Sequence, residues 1–234
     1  MCSTFSSCIK FTIFIVFIIS VGKAQPTFTA ADIATSADGA KAAVAADMDN
    51  DGDLDIVSAS YNDQTIAWYE NDGAANPSWT AANISTSAGG VNSVFVADMD
   101  NDGDLDIVSS ASDNNDGITW YENNGAADPS FTASDIGNSN LYTLSVFVAD
   151  MDNDGDMDIV SASYNDDKIA WFENDGAADP SFTAANIATS ADGAYEVFVA
   201  DMDNDGDMDI VSASGLDDAI AWYENAPDNT APTL

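Results

Sequence analysis

The sequence predicts an all-β chain, a β-propeller of four four-stranded blades of about 51 residues each, or part of a larger propeller. Three observations predict it. A nonapeptide, Asp-Met-Asp-Asn-Asp-Gly-Asp-(Leu/Met)-Asp, begins at Asp47, Asp98, Asp150 and Asp201, at intervals of 51, 52 and 51 residues. Each unit also carries a Trp-(Tyr/Phe)-Glu-Asn segment, at Trp68, Trp120, Trp171 and Trp222, and three units go on to an aromatic-Thr-Ala segment. Short β-branched runs flank the acidic loop, such as Val94-Phe95-Val96-Ala97 before it and Leu105-Asp106-Ile107-Val108 after it. Runs of this length and composition read as strands.

Taken from the N-terminus, residues 1–24 read as a signal peptide. An apolar stretch from Ile9 to Gly22, broken at Lys10, ends at the small residues Gly22 and Ala24, spaced like a signal-peptidase site. Its 14 residues fall short of the roughly 20 that a membrane-spanning helix needs, so cleavage after Ala24 is expected, with a retained anchor as the alternative. Cleavage removes Cys2, Cys8, Lys10 and Lys23, leaving 210 residues with no cysteine. Two lysines, Lys41 and Lys168, then face 41 acidic groups, a net charge of −39. Such a surface excludes nucleic acid and anionic membrane as partners, and no membrane span remains after cleavage. The expected location is secreted, extracellular or at the cell surface.

Residues 25–226 form the repeat array. Within a unit, two strands joined by the acidic loop make a hairpin; a third strand follows at Ile118 to Tyr121 and a fourth around Phe131 to Ile136, in the numbering of the second unit. Asn-Asp-Gly or Asn-Asn-Gly at Asn71, Asn123 and Asn174 accepts positive φ and marks the turn after the third strand. The chain also opens with an aromatic strand candidate, Phe28-Thr29-Ala30, while nothing like it follows Trp222. The expectation is that this N-terminal strand completes the last blade and closes the ring, covering two sheet edges. The first unit departs from the others with Ala43-Val44-Ala45 where they have Val-Phe-Val, and the fourth replaces the glycine turn with Asn225-Ala226-Pro227. Residues 227–234 read as a linker.

The acidic loops, 47–55, 98–106, 150–158 and 201–209, are the candidate sites. Each places five carboxylates at alternate positions: Asp47, Asp49, Asp51, Asp53 and Asp55; Asp98, Asp100, Asp102, Asp104 and Asp106; Asp150, Asp152, Asp154, Asp156 and Asp158; Asp201, Asp203, Asp205, Asp207 and Asp209. Like charges this close repel by roughly 1 kcal/mol per pair even in water, so the loops call for a hard, multivalent cation with oxygen ligands. Calcium, up to four ions, fits better than magnesium, whose compact octahedral shell favours retained water. Positions 1, 3 and 5 offer side-chain oxygens, glycine at position 6 permits a sharp bend, position 7 offers its carbonyl and position 9 closes the shell. An EF-hand is excluded, because position 12 is Ser58, Ser109, Ser161 or Ser212 rather than a bidentate Glu, and strands rather than helices flank the loop.

The run Val-Ala-Asp-Met-Asp-Asn-Asp-Gly-Asp-Leu-Asp-Ile-Val resembles the FG-GAP and VCBS repeats of integrin α-subunit propellers and many secreted microbial proteins. The resemblance covers nearly the whole mature chain, although the Phe-Gly and Gly-Ala-Pro elements of the family are not evident. It implies calcium held in a hairpin loop within each propeller blade, with all four ligand sets retained.

For function, the absence of histidine from the sequence, and of cysteine after residue 24, removes Ser-His-Asp, Cys-His and common zinc chemistry. No enzyme is expected; a carboxylate pair acting on carbohydrate is the catalytic alternative. The favoured reading is a secreted calcium-binding adhesion module that contacts an extracellular glycan or protein, and a calcium-stiffened spacer of a larger surface protein is the other. Trp68, Trp120, Trp171 and Trp222 recur once per unit, as packing residues do. The least repetitive segments, Ser112 to Gly117 and Asn138 to Tyr142, are where ligand specificity is expected.

Overall fold

The computed structural model describes residues 26–112, 117–137 and 142–226. The expected signal peptide, the C-terminal linker and the centres of the two variable segments (113–116 and 138–141) lie outside these residues. The chain divides into Met1–Asp32 and Ile33–Leu234. In the first unit, residues 26–32 carry no strand and Phe28 is exposed. All the strands belong to the second.

These fifteen strands form four antiparallel sheets, with no helix among the described residues. Sheet 1 comprises β1 (Ala40–Ala46), β2 (Asp55–Ser60), β3 (Thr65–Asn71) and β4 (Trp79–Ser85). Sheet 2 repeats it with β5 (Val91–Ala97), β6 (Asp106–Ala111), β7 (Ile118–Asn123) and β8 (Phe131–Gly137). Sheet 3 has β9 (Thr143–Ala149), β10 (Asp158–Ser163), β11 (Lys168–Asn174) and β12 (Phe182–Ala188). Sheet 4 has three strands, β13 (Ala194–Ala200), β14 (Asp209–Ser214) and β15 (Ala219–Tyr223). Within each sheet every strand pairs with its chain neighbour.

The second strand of each unit is an uninterrupted apolar or small run because it is covered on both faces: β6 and β10 are buried along their whole length. One set of side chains packs backward against the preceding sheet and the alternate set packs forward against the next. Met48, Val57, Ile66 and Trp68 of sheet 1 thus share a core with Val94, Ile107 and Tyr121 of sheet 2. Equivalent cores join sheet 2 to sheet 3 and sheet 3 to sheet 4. Phe95, Phe147 and Phe198 form a row of tilted and edge-on ring contacts across the first strands, at centroid separations of 4.8 and 5.1 Å.

The first strands pack in the order β1, β5, β9, β13, and no comparable packing joins β1 to β13. All four contribute to a hollow of about 300 Å³ bordered by Lys41, Asn92, Ser145 and Glu196, among others. No sheet-to-sheet pairing closes β13 onto β1 among the described residues, so the four antiparallel sheets are established and a closed ring of four blades is not. Residues 28–30, where a strand is expected, form none, and among the described residues sheet 4 has three strands. The physical reason lies in how outer strands are attached. β4, β8 and β12 bury little of themselves, and each is held by a short turn in which Asp72, Asn124 or Asp175 binds the backbone N–H of Ser78, Ser130 or Ser181. Residues 28–30 have no such turn to offset the entropy of ordering them.

Candidate metal centres

Each acidic loop spans the first and second strands of its sheet, and its ninth residue opens the second strand. Asp55, Asp106, Asp158 and Asp209 pair in register with Ala46, Ala97, Ala149 and Ala200. Their carboxylates brace the loop: Asp106 accepts from the backbone N–H of Met99 at 3.1 Å and of Asn123 at 2.7 Å, and the other three do the same. Two residues per loop have positive φ, Asn at position 4 (59–64°) and Gly at position 6 (96–103°). A Cβ at Gly52 would have open space, so glycine is required by backbone conformation rather than by crowding.

This bend turns the carboxylates inward. Asp47 accepts from the N–H groups of Asp51 and Gly52, and Asp49 accepts from Asp51, which holds both side chains over the turn. The result is a set of three carboxylates, each with an oxygen within 4.8 Å of the others: Asp47, Asp49 and Asp51; Asp98, Asp100 and Asp102; Asp150, Asp152 and Asp158; Asp201, Asp203 and Asp205. The donors are all hard oxygens, and the one lysine paired to an acid among the described residues, Lys168, is bound to Asp166 outside the loops. This donor set fits calcium and offers nothing to a soft metal. Positions 1 and 3 meet in every loop, and position 5 joins them in three. In the third loop Asp158 takes the place of Asp154.

Burial and neighbouring acids raise the carboxyls of Asp49, Asp100 and Asp152 above the usual range. Burial pushes Asp106 up to about 7 and Asp158 to about 6, against the lowering pull of their backbone donors. The indole N–H groups of Trp120 and Trp171 lie toward these two carboxylates without completing a hydrogen bond. A carboxyl whose pKa is higher folded than unfolded binds extra protons in the folded state between the two values. Without metal the fold is therefore expected to gain stability as pH falls from about 7 toward about 4. With calcium, protons compete for the same oxygens, and the metal-dependent stabilisation is expected to shrink over that window. Thermal unfolding across pH, with and without chelator, checks both slopes, which should have opposite signs.

The profile of the FG-GAP-like repeat matches residues 47–109, 109–161 and 150–212, well over half of the chain. The chain belongs to the FG-GAP-like repeat family. A comparison with curated proteins finds no match. Among solved structures, the V. cholerae biofilm matrix protein Bap1 is similar at 20% identity and a TM-score of 0.47, over 77% of this chain and 26% of that one. The chain thus spans about a quarter of the length of Bap1.

The FG-GAP-like loops also tie one sheet to the next, which the sequence did not suggest. The position 4 amide of one loop donates to the position 7 carboxylate of the following loop: Asn50 to Asp104 at 2.7 Å, Asn101 to Asp156 at 2.6 Å and Asn153 to Asp207 at 2.7 Å. In the reverse direction Asn123, Asn174 and Asn225 donate to the carbonyls of Met48, Met99 and Met151 in the preceding loop. Asp53, Asp104, Asp156 and Asp207 all stand outside the carboxylate triads, and the last three carry these bonds between sheets. Three of them, Asp53, Asp104 and Asp156, lie over Gly73, Gly125 and Gly176, where a Cβ would run into the carboxylate.

Of the repeated tryptophans, Trp68 and Trp120 are buried and Trp171 is half-buried, as packing residues, whereas Trp222, on the last described sheet, is 52% exposed. Beside Trp171 lies a cavity of about 280 Å³, lined by Met151, Ile210 and Tyr223. At the first junction the matching residues Met48, Ile107 and Tyr121 share a cluster with Phe131 of β8. Among the described residues sheet 4 has no fourth strand to supply a matching aromatic beside this cavity.

Proposed function

We propose that this chain is an exported calcium-binding repeat module, built as a fan of propeller-like blades, that acts without catalysis by presenting its surface to an extracellular glycan or protein. The observation that carries this reading is the fourfold recurrence of three carboxylates converging in a strand-flanked loop. In the second and third loops the fold raises carboxyl pKa values by burial and by like charge, a cost that a bound cation relieves. The short apolar N-terminal stretch supports export, and the lack of histidine supports a non-catalytic role.

Replacing Asp49 and Asp51 together with Ala is expected to lower the calcium stoichiometry by one and to reduce thermal stability in calcium but not in chelator. Calorimetric titration reads the first and thermal unfolding the second; an unchanged stoichiometry would falsify the site assignment. Screening the intact chain on a glycan array, in calcium and in chelator, tests the binding role. Calcium-dependent retention on a defined glycan class supports it.

The spacer reading draws on one observation of its own. The outer strands expose Thr, Ala, Ser and Asn, and the large exposed apolar side chains gather mainly on sheet 4 rather than on a face common to all sheets. A chain that binds calcium and no glycan or extracellular protein would favour the spacer.

A further inference from the structure

We infer that the open face of sheet 4 docks head to tail against the open face of sheet 1 in a second copy of this chain. The argument begins with what happens to one repeated position. Ile66, Ile118 and Ile169 are 0%, 2% and 0% exposed, each covered by the following sheet, while their counterpart Ile220 is 77% exposed. Met202 at position 2 of the fourth loop follows the same pattern, standing open where Met48, Met99 and Met151 are buried. Together with Phe198 and Trp222 these residues make an apolar patch that matches the internal junction surfaces and that no described residue covers.

Sheet 1 carries the other half. Leu54 is 60% exposed, and Ala43 and Ala45 of β1 are open, at positions where Leu105, Val94 and Val96 of sheet 2 pack against sheet 1. The polar groups are divided in the same way. Three junctions each use an Asn-to-Asp bond forward and an Asn-to-carbonyl bond backward. Among the described residues, Asn204 has no following Asp and the Met202 carbonyl has no following Asn. Asp53 in turn receives no Asn, and the Asn71 amide reaches only the Leu54 carbonyl of its own sheet. Donor on sheet 4 matches acceptor on sheet 1, and acceptor matches donor.

The two faces are different surfaces, so the contact is heterologous: it makes a closed ring if the rotation closes and a longer array if it does not. A sheet 4 to sheet 4 contact would bring like halves together, leaving Asn204 and the Met202 carbonyl without their complements. Continuity with the three internal junctions therefore selects the head-to-tail arrangement. The excess of acidic groups opposes association at low ionic strength, so the contact is expected to tighten with salt and with calcium.

Sedimentation velocity of the intact chain in calcium, from micromolar to near-millimolar concentration, tests this. A mass rising above the monomer is expected. Ile220→Glu and Ala45→Glu should each weaken association by roughly tenfold or more, because each would bury an unpaired carboxylate. Mixing the two variants should restore one intact junction, sheet 4 of the Ala45→Glu chain on sheet 1 of the Ile220→Glu chain. Both positions are exposed in the single chain, and a calcium-dependent thermal transition verifies that each variant folds. A monomer at every concentration overturns the inference and leaves the face to a different partner. Association abolished by Ile220→Glu but indifferent to Ala45→Glu overturns it in favour of a symmetric sheet 4 contact.

Discussion

Thermal unfolding of this chain in about 10 mM calcium is expected to lie far above that in chelator, because metal binding to the folded loops adds directly to folding free energy. With a dissociation constant near 0.1 mM, common for extracellular calcium modules, each site would contribute about 2.7 kcal/mol at that concentration. Four sites give on the order of 10 kcal/mol, as large as the net stability of a whole domain. The chain has reason to depend on metal so heavily. Twenty of its 41 acids sit in the loops, and no cysteine follows residue 24. Calorimetric titration should count about four ions, and magnesium at the same concentration should produce a much smaller shift. Equal unfolding temperatures in calcium and chelator would reduce the repeated acids to surface charge.

The second large effect is expected from Asn174→Ala and should not depend on metal. Asn174 is buried and its amide donates to the Met99 carbonyl at 2.8 Å and the Met157 carbonyl at 3.0 Å, while its Oδ1 accepts from the Gly176 N–H at 3.0 Å. Alanine leaves a buried carbonyl of the preceding sheet without its donor and loosens the glycine turn. Unsatisfied buried groups cost about 1–3 kcal/mol each, so a loss of about 3 kcal/mol or more is expected. Asn71→Ala is the internal control. Asn71 makes the same bonds within its own sheet but has no preceding loop to reach, so its loss should be smaller by the value of one hydrogen bond. Urea unfolding in saturating calcium reads both as midpoint shifts at constant slope. Equal losses for the two variants would mean that the bond between sheets contributes nothing.

The periodic parts of this fold were legible in the sequence because they are fixed locally. Asp-x-Asp-x-Asp-Gly sets its own bend, Asn-Asp-Gly sets its own turn, and β-branched runs between them have few alternatives to strand. What depends on stacking was not legible. A linear reading assigns the position 7 acids to the metal, through the backbone carbonyl, and gives their carboxylates no partner in another sheet; only the stacking shows that Asp104, Asp156 and Asp207 receive an Asn from the loop before. Trp222 reads as a core residue by repetition, yet burial needs a following sheet. Phe28-Thr29-Ala30 matches the outer strands in composition but lacks the hairpin turn that holds them, and that missing constraint leaves no trace in three residues.

The sheets have a further consequence for the order in which the chain acquires structure. Every strand pairs with its immediate neighbour in sequence, and cores form only between consecutive sheets. Contacts therefore stay within a repeat or between adjacent repeats, as in a linear array. The core of sheet 1 is shared with sheet 2, so structure can grow in the direction of synthesis, each new sheet templated by the last. Unravelling runs the opposite way. The junction between sheets 3 and 4 has a half-buried Trp171 and an adjoining cavity, and the C-terminal sheet is the first expected to fray in hydrogen exchange.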